Sequence, residues 1–260
     1  QERLRRAMAH LSPDDRKFFE ENGYLVKHDL LTEDQIQKAQ EVIWENLENE
    51  TDVDRNDPRT WIRDGPRTPS GGNHPDIVAT LMDSPVFPMV EELVGKDKVK
   101  PPGFCGPALN YPSEDKTWMP PDPQHGHLDY FPPDHDNVGF TIGGMIYVDD
   151  VSEQGGGFVV WPGTHLQAMR LFHKHACDLE QMEPFGAQNL NPQVEPIVVW
   201  GPPGTVCIWH GNLFHNISKN CSDRIRLALI IRMRRFDFAQ TKNEFSGNIW
   251  KHWEGIGENQ

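Results

Sequence analysis

His127-Leu128-Asp129 is the first stretch of this chain whose residue types spell out a chemistry. In an extended strand, residues i and i+2 project to the same face, so an imidazole and a carboxylate at this spacing reach one metal ion together. The pattern alone says little, because a second His-x-Asp, His74-Pro75-Asp76, stands where proline and aspartate make good first-turn residues, and we read that one as a helix start. Two residues further along the chain set His127 and Asp129 apart. His215 comes eighty-eight residues later, just past a β run and its Gly211-Asn212 turn, and Arg226 comes eleven residues after His215 at the head of the apolar run Arg226–Met233. A period of two puts Arg226, Ala228 and Ile230 on one face of that run and Leu227, Leu229 and Ile231 on the other. A guanidinium buried on such a face needs an anionic partner, since an unpaired buried charge is very costly. Two imidazoles and one carboxylate leave three positions of an octahedron open, the arrangement of non-haem Fe(II) oxygenases. A bidentate arginine beside them suits the far carboxylate of a chelating oxo-acid.

Other candidates have plainer explanations. His210 follows Trp209 directly and lacks the eleven-residue offset to Arg226. Pro162-Gly163-Thr164-His165 reads as a turn with a supporting histidine. His173 and His175 sit in a helical insert and are expected in solvent. Asp134-His135-Asp136 reads as a polar turn, and Arg63 and Arg67 as exposed arginines of a loop. Arg224 competes with Arg226, but Asp223 beside it suggests a turn that leaves Arg224 solvated or paired with a surface carboxylate.

These residues have to be positioned by a chain that changes character part-way. Up to about residue 98 it reads as helical. Ser12-Pro13 caps a first helix that Asn22-Gly23 ends, a short strand Tyr24–Val26 follows, and Thr32 with Gln35 forms a capping box ahead of the stripe Ile36, Ala39, Ile43 and Leu47. Ser84-Pro85 opens another helix, closed by Gly95, and residues 51–75 read as a loop. From Val99 onward come short β runs split by Pro, Gly and Asn: Ala108–Tyr111, His125–Asp129, Phe140–Val148, Phe158–Trp161, Ile197–Trp200, Thr205–Trp209 and Arg226–Met233. That spacing predicts a mostly β fold, an antiparallel jelly roll over 99–236, with a helical layer over 1–98, a tail over 237–260, and no break that would make a second domain.

Composition narrows the function. At 260 residues the chain is long enough for a core without staples, and a net charge of −14 argues against nucleic-acid or anionic-membrane partners. No apolar run is long enough to span a bilayer. Four cysteines, Cys105, Cys177, Cys207 and Cys221, share no CxxC spacing and read as thiols of a reducing compartment, so the expectation is a cytoplasmic monomer or homodimer acting on a small molecule. Because the chain begins at Gln1, it does not speak to a removed targeting segment.

Taken in order, Phe18–Val26, Leu109-Asn-Tyr-Pro112, His127-Leu-Asp-Tyr-Phe-Pro132, Gly157–His165 and Trp209–Asn220 with Arg226 resemble the phytanoyl-CoA dioxygenase family of Fe(II)/2-oxoglutarate oxygenases. The resemblance covers most of the chain. It implies a double-stranded β-helix in which His127, Asp129 and His215 bind Fe(II) and Arg226 holds the C5 carboxylate of 2-oxoglutarate. It also implies that Asn110 reaches the cosubstrate, and that O2 oxidises a substrate C–H bond while 2-oxoglutarate becomes succinate and CO2. Two positions depart from the family pattern: Met145, with Tyr147 nearby, stands where relatives often carry tryptophan, and the serine after the distal histidine falls three residues on, at Ser218. Related halogenases lack the carboxylate and so make room for chloride, so by the resemblance Asp129 points to hydroxylation or a related oxidation.

Two rivals remain. His125-Gly-His127-Leu-Asp129 also spells the HxHxD front of metallo-β-lactamase-like dizinc hydrolases, although Tyr130 stands where those carry a further histidine and their folds alternate strands with helices. The third reading is a non-catalytic jelly-roll binding protein. A metal titration separates the three: one Fe(II) with 2-oxoglutarate, two Zn(II), or none.

Overall fold

A computed structural model of the chain describes residues 9–61, 68–129, 139–175, 190, 192–242, 244 and 247–257. Arg63, Arg67, Tyr130, the Asp134-His135-Asp136 turn and Cys177 lie outside them, as does the side chain of His175.

The helical layer forms where its caps are written. Helix α1 (Pro13–Asn22) starts at Ser12, whose hydroxyl accepts from the Asp15 amide while Asp15 reaches back to the Ser12 amide, and it ends at Gly23 in the left-handed region. Helix α2 (Glu33–Glu50) repeats the device with Thr32 and Gln35 and buries Ala39, Val42, Ile43 and Leu47, while Ile36 is only partly buried. Helix α3 (Pro75–Met82) is capped by the His74 ring, which accepts from the Asp76 amide at 3.3 Å, so this His-x-Asp is a helix cap as the sequence suggested. Helix α4 (Val86–Val94) follows, with Ser84 accepting from the Val86 amide.

Among the described residues, eight strands make two antiparallel sheets, and these sheets do not close into a barrel. The larger runs in the order β1 (Tyr24–Lys27), β6 (Val206–His210), β3 (Ile142–Tyr147), β8 (Arg226–Met233), β2 (Gly106–Asn110). The smaller runs β5 (Ile197–Val199), β4 (Phe158–Val160), β7 (His215–Ile217). Alternation divides the larger sheet as period two requires. Leu25, Ile142, Ile146, Ile208, Leu227, Leu229 and Ile231 join the helices in one core, whereas Tyr24, Met145, Tyr147, Cys207, Trp209 and Ala228 face Phe158, Val160 and Val199 of the smaller sheet. No helix among the described residues is long and apolar enough to cross a membrane.

Two strand expectations need correction. His125–Asp129 is not a strand: Asp122 caps a 3-10 turn over Pro123–His125, and only His127 forms a bridge. β7, which contains His215, is a strand too short to show as a pattern in the sequence. Helix α5 (Thr164–His175) is the expected insert, and His173 on it is exposed.

The C-terminal segment lacks any periodicity, yet it is docked. Trp250 and Trp253 are buried, 6.0 and 5.6 Å from the Phe19 ring, and the Trp253 ring stacks on His210 at 5.0 Å. Arg235 donates to the His252 carbonyl, and the Glu254 and Gly255 amides donate to the carbonyls of Val94 and Leu93 at the end of α4. His165 completes the cluster, 5.5 Å from the rings of both His210 and Trp250, with Nε2 on the Glu20 carbonyl at 3.1 Å. Burial pushes His165 down to about 4 against that hydrogen bond, and burial together with His165 holds His210 well below the ordinary imidazole value.

Both histidines are therefore neutral when folded and take up protons more readily when unfolded, so stability should fall as pH drops from about 6.5 towards about 4. The slope should approach about 1.4 kcal/mol per pH unit for each histidine. Urea unfolding midpoints measured across this window should show the decline, and His210→Phe, which keeps the ring stack, should flatten it. A midpoint constant across the window would contradict the assignment.

Candidate metal centre

The two histidines meet through backbone pairing. His127 and His215 form an antiparallel bridge in which each amide donates to the other's carbonyl at 3.0 Å, bringing their rings to 4.5 Å. β7 is held in turn by β4, where Val160 pairs with His215, and by Thr164, whose hydroxyl accepts from the Phe214 amide and donates to the Trp161 carbonyl. That is the work of the Pro162–His165 turn. On the other side, Gly126 is required for close approach: a Cβ there would lie 2.2 Å from the Phe214 ring. Leu128 points away into a cluster with Trp161 and Phe214, so His127 and Asp129 turn to the opposite side, the i, i+2 relation surviving without a full strand.

Asp129 Oδ1 lies 3.6 Å from His127 Nε2, and Asp129 Oδ2 lies 3.4 Å from His215 Nε2. One ligand atom from each of the three residues falls within 4.8 Å of the others, and among the described residues this is the one such group of metal-ligating side chains. His125 is not part of it. His215 is buried and its Nδ1 sits 2.8 Å from the Leu213 carbonyl, to which it donates, while its Nε2 faces Asp129. Burial works against ionising Asp129, but hydrogen bonds from His127 and His215 and the charges of His215 and Arg232 outweigh it and hold the carboxyl far below the usual range. The site is open on one side, with half of the His127 side chain exposed.

Arg226 is buried at the start of β8, opposite Asn110 on β2, and donates to the carbonyls of Gly156 (2.9 Å) and Ala108 (3.2 Å). Gly156 has φ +78, and its carbonyl also accepts from Asn110 Nδ2 at 3.1 Å, so one glycine in a conformation that side chains disfavour orients both residues. Arg224 lies outside, its guanidinium on both Asp149 oxygens at 2.8 and 2.7 Å. A cavity of about 630 Å³ lies elsewhere, between the β1 and β5 edges and lined by Phe18, Tyr24, Ile197 and Trp200, and none of His127, Asp129 and His215 borders it.

Residues 19–228 match the family model described as phytanoyl-CoA dioxygenase (PhyH). The chain belongs to the phytanoyl-CoA dioxygenase family. Its activity class is accordingly that of an Fe(II)- and 2-oxoglutarate-dependent oxygenase using O2, and the two-imidazole, one-carboxylate donor set fits that metal. No curated protein matches the chain in sequence. Solved structures share the fold at low identity. The non-haem α-ketoglutarate-dependent carbocyclase SnoK from nogalamycin biosynthesis is 18% identical with TM-score 0.59, over 86% of this chain and 84% of its own. EctD from S. alaskensis with bound Fe is 18% identical with TM-score 0.58, over 96% and 86%. HygX from Streptomyces hygroscopicus, with nickel and 2-oxoglutarate bound, is 15% identical with TM-score 0.55, over 87% and 88%.

Against the family's pattern, the expected cosubstrate contacts divide. Asn110 and Ser218 flank Arg226's carbonyl partners: Asn110 Nδ2 also donates to the Ser218 carbonyl at 2.9 Å, and the Ser218 hydroxyl donates to the Gly157 carbonyl at 3.2 Å. Tyr147 is a tie between the sheets, its hydroxyl donating to the Val199 carbonyl (2.7 Å) and accepting from the Phe158 amide (2.8 Å), with burial pushing its pKa up to about 12. Met145 is packed within the inner layer. The residue that sequence reasoning missed is Arg232, which donates to both Asp129 oxygens. Its signal was available: it lies six residues after Arg226, on the same face by period two.

The Gly126–Phe214 contact yields a prediction with an internal control. Gly126→Ala should weaken metal affinity, measured by calorimetry with Co(II), at least about tenfold, or about 1.4 kcal/mol. Gly103→Ala, where a Cβ would meet nothing within 4 Å, should leave it unchanged. Equal affinities in the two variants would mean that the glycine does not set the approach of the ligand-bearing segments.

Proposed function

We propose that His127, Asp129 and His215 hold the Fe(II), that Arg226 receives the distal carboxylate of 2-oxoglutarate, and that the enzyme hydroxylates a C–H bond of a small molecule. The observation that carries this reading is the convergence of three ligand atoms within 4.8 Å in the same inter-sheet space that the β8 face bearing Arg226 lines. In the balanced reaction, substrate C–H, 2-oxoglutarate and O2 give substrate C–OH, succinate and CO2. The bound iron supplies the oxygen chemistry. The protein binds, orients and excludes.

Arg226 provides a planar two-point grip in a buried setting, where a carboxylate offsets the cost of the enclosed cation. Asn110 and Ser218 order the backbone around that grip. The Leu213 carbonyl receives the Nδ1 proton of His215, which leaves Nε2 as the atom that would meet the metal without a turn of the ring. Asp129 supports hydroxylation over halogenation, since a carboxylate fills the place a halide would need. The whole chain acts as one oxygenase domain in this reading, as a monomer or homodimer, and the buried free thiols of Cys105 and Cys207 suit a reducing compartment such as the cytoplasm.

His127→Ala and Asp129→Ala should each abolish substrate-linked succinate formation. Activity near wild type in either would refute the iron assignment. Arg226→Ala should lose roughly 2–5 kcal/mol of 2-oxoglutarate binding, a buried two-point charge partner being removed, while iron still binds. Arg224→Ala, which breaks only an exposed ion pair, should change little. The metal-to-ligand charge-transfer band under anaerobic conditions reads both variants, and loss of the band in Arg224→Ala instead would overturn the assignment.

A further inference from the structure

Arg232 has no role in the chemistry described so far, yet it holds a metal ligand by both oxygens. Its Nε lies 3.1 Å from Asp129 Oδ2 and its Nη2 lies 3.2 Å from Asp129 Oδ1. The guanidinium is also set over the Phe140 ring at 5.7 Å, and Phe140 is itself buried, so the fork has a floor. Its backbone is held on the β3 side of the strand, where Arg232 pairs with Gly143. Asp129 is 15% exposed and Arg232 47% exposed. A half-exposed ion pair of this kind adds at most about 1 kcal/mol of stability, so its value lies in geometry.

We propose that Arg232 is a positioning residue that restricts Asp129 to a single metal contact. This rests on the iron and 2-oxoglutarate assignment above. Each Asp129 oxygen faces one histidine, Oδ1 towards His127 and Oδ2 towards His215, and each is also gripped by one arm of Arg232. A metal that takes one oxygen leaves the other arm of the fork in place, whereas a chelating carboxylate has to compete with both arms. The difference matters for the coordination count. Two histidines and a chelating carboxylate fill four octahedral positions, and 2-oxoglutarate fills the remaining two. With a single Asp129 contact, one position stays open for O2. Lysine at this position would keep the charge, but as a point donor it does not span both oxygens.

The test uses Fe(II), 2-oxoglutarate and nitric oxide, a stable stand-in for O2, with the full chain under anaerobic conditions. Wild type, Arg232→Ala and Arg232→Lys are compared by the charge-transfer band, which reports iron with 2-oxoglutarate, and by the S = 3/2 electron paramagnetic resonance signal, which reports nitric oxide on the iron. The expected result is that both variants keep the band and both bind nitric oxide at least about tenfold more weakly than wild type, or about 1.4 kcal/mol. Should the alanine variant fail to fold, the lysine variant carries the same expectation alone. Wild-type nitric oxide affinity in Arg232→Ala, full recovery in Arg232→Lys, or loss of the band in the variants would each overturn the proposal. Absence of the band in wild type would instead overturn the iron and 2-oxoglutarate assignment beneath it.

Discussion

The pair of backbone hydrogen bonds between His127 and His215 is the constraint on which the rest of the site depends. It joins segments eighty-eight residues apart, and it is made by the two candidate ligand residues themselves rather than by neighbours. Everything around it serves to bring those two backbones into register. Thr164 fixes the chain entering β7, Gly126 lets the opposite segment ride against Phe214, and Leu128 anchors that segment from behind. The imidazoles are thus placed by peptide geometry, and side-chain freedom is left only in the last two torsions, one of which the Leu213 carbonyl removes for His215.

How much of this was legible in the sequence depends on the range of the interaction. Caps are local, so Ser12, Thr32 and His74 announced α1, α2 and α3 correctly. The faces of β8 were legible for the same reason: period two is a local rule, and Leu227, Leu229 and Ile231 do meet the helices while Ala228 meets the inner layer. The three candidate ligands could be named because their spacing is unusual and because the chain resembles a family. What could not be read was anything set by partners distant in sequence. His125–Asp129 has the composition of a strand but has only one residue of ladder to pair with, so a capped turn takes its first residues. Tyr147 and Asn110 are polar residues near the site whose hydrogen bonds go to backbone carbonyls, a choice no pattern of residue types reveals. The docked tail depends on Phe19, more than two hundred residues upstream.

Charge is distributed against the grain of the composition. The chain carries −14 overall, yet the inner face of β8 carries two arginines, and Arg232 is paired there with the carboxylate of Asp129. In the proposed assignment, a field that is negative outside and locally positive within would draw a dianionic cosubstrate towards Arg226 only at close range, where the local cation outweighs the screened surface.

The strict alternation of β8 bears on how the chain avoids misfolding. Its outer side offers only Leu227, Leu229, Ile231 and Met233 to the helices, and its inner side holds Arg226 and Arg232. A slip of one residue against β2 or β3 would exchange the two sides completely. Both guanidiniums would then be driven into the apolar layer beneath α2, α3 and α4, away from the carbonyls and the carboxylate that receive them, at a cost of several kcal/mol for each stranded charge. The neighbouring registers are therefore excluded by the same two side chains that line the reaction space, and the strand is checked for correct assembly by its own chemistry. Neutral replacements at both positions would remove that check as well as the hold on the Gly156 and Ala108 carbonyls and on Asp129, so this strand is little free to lose its charges.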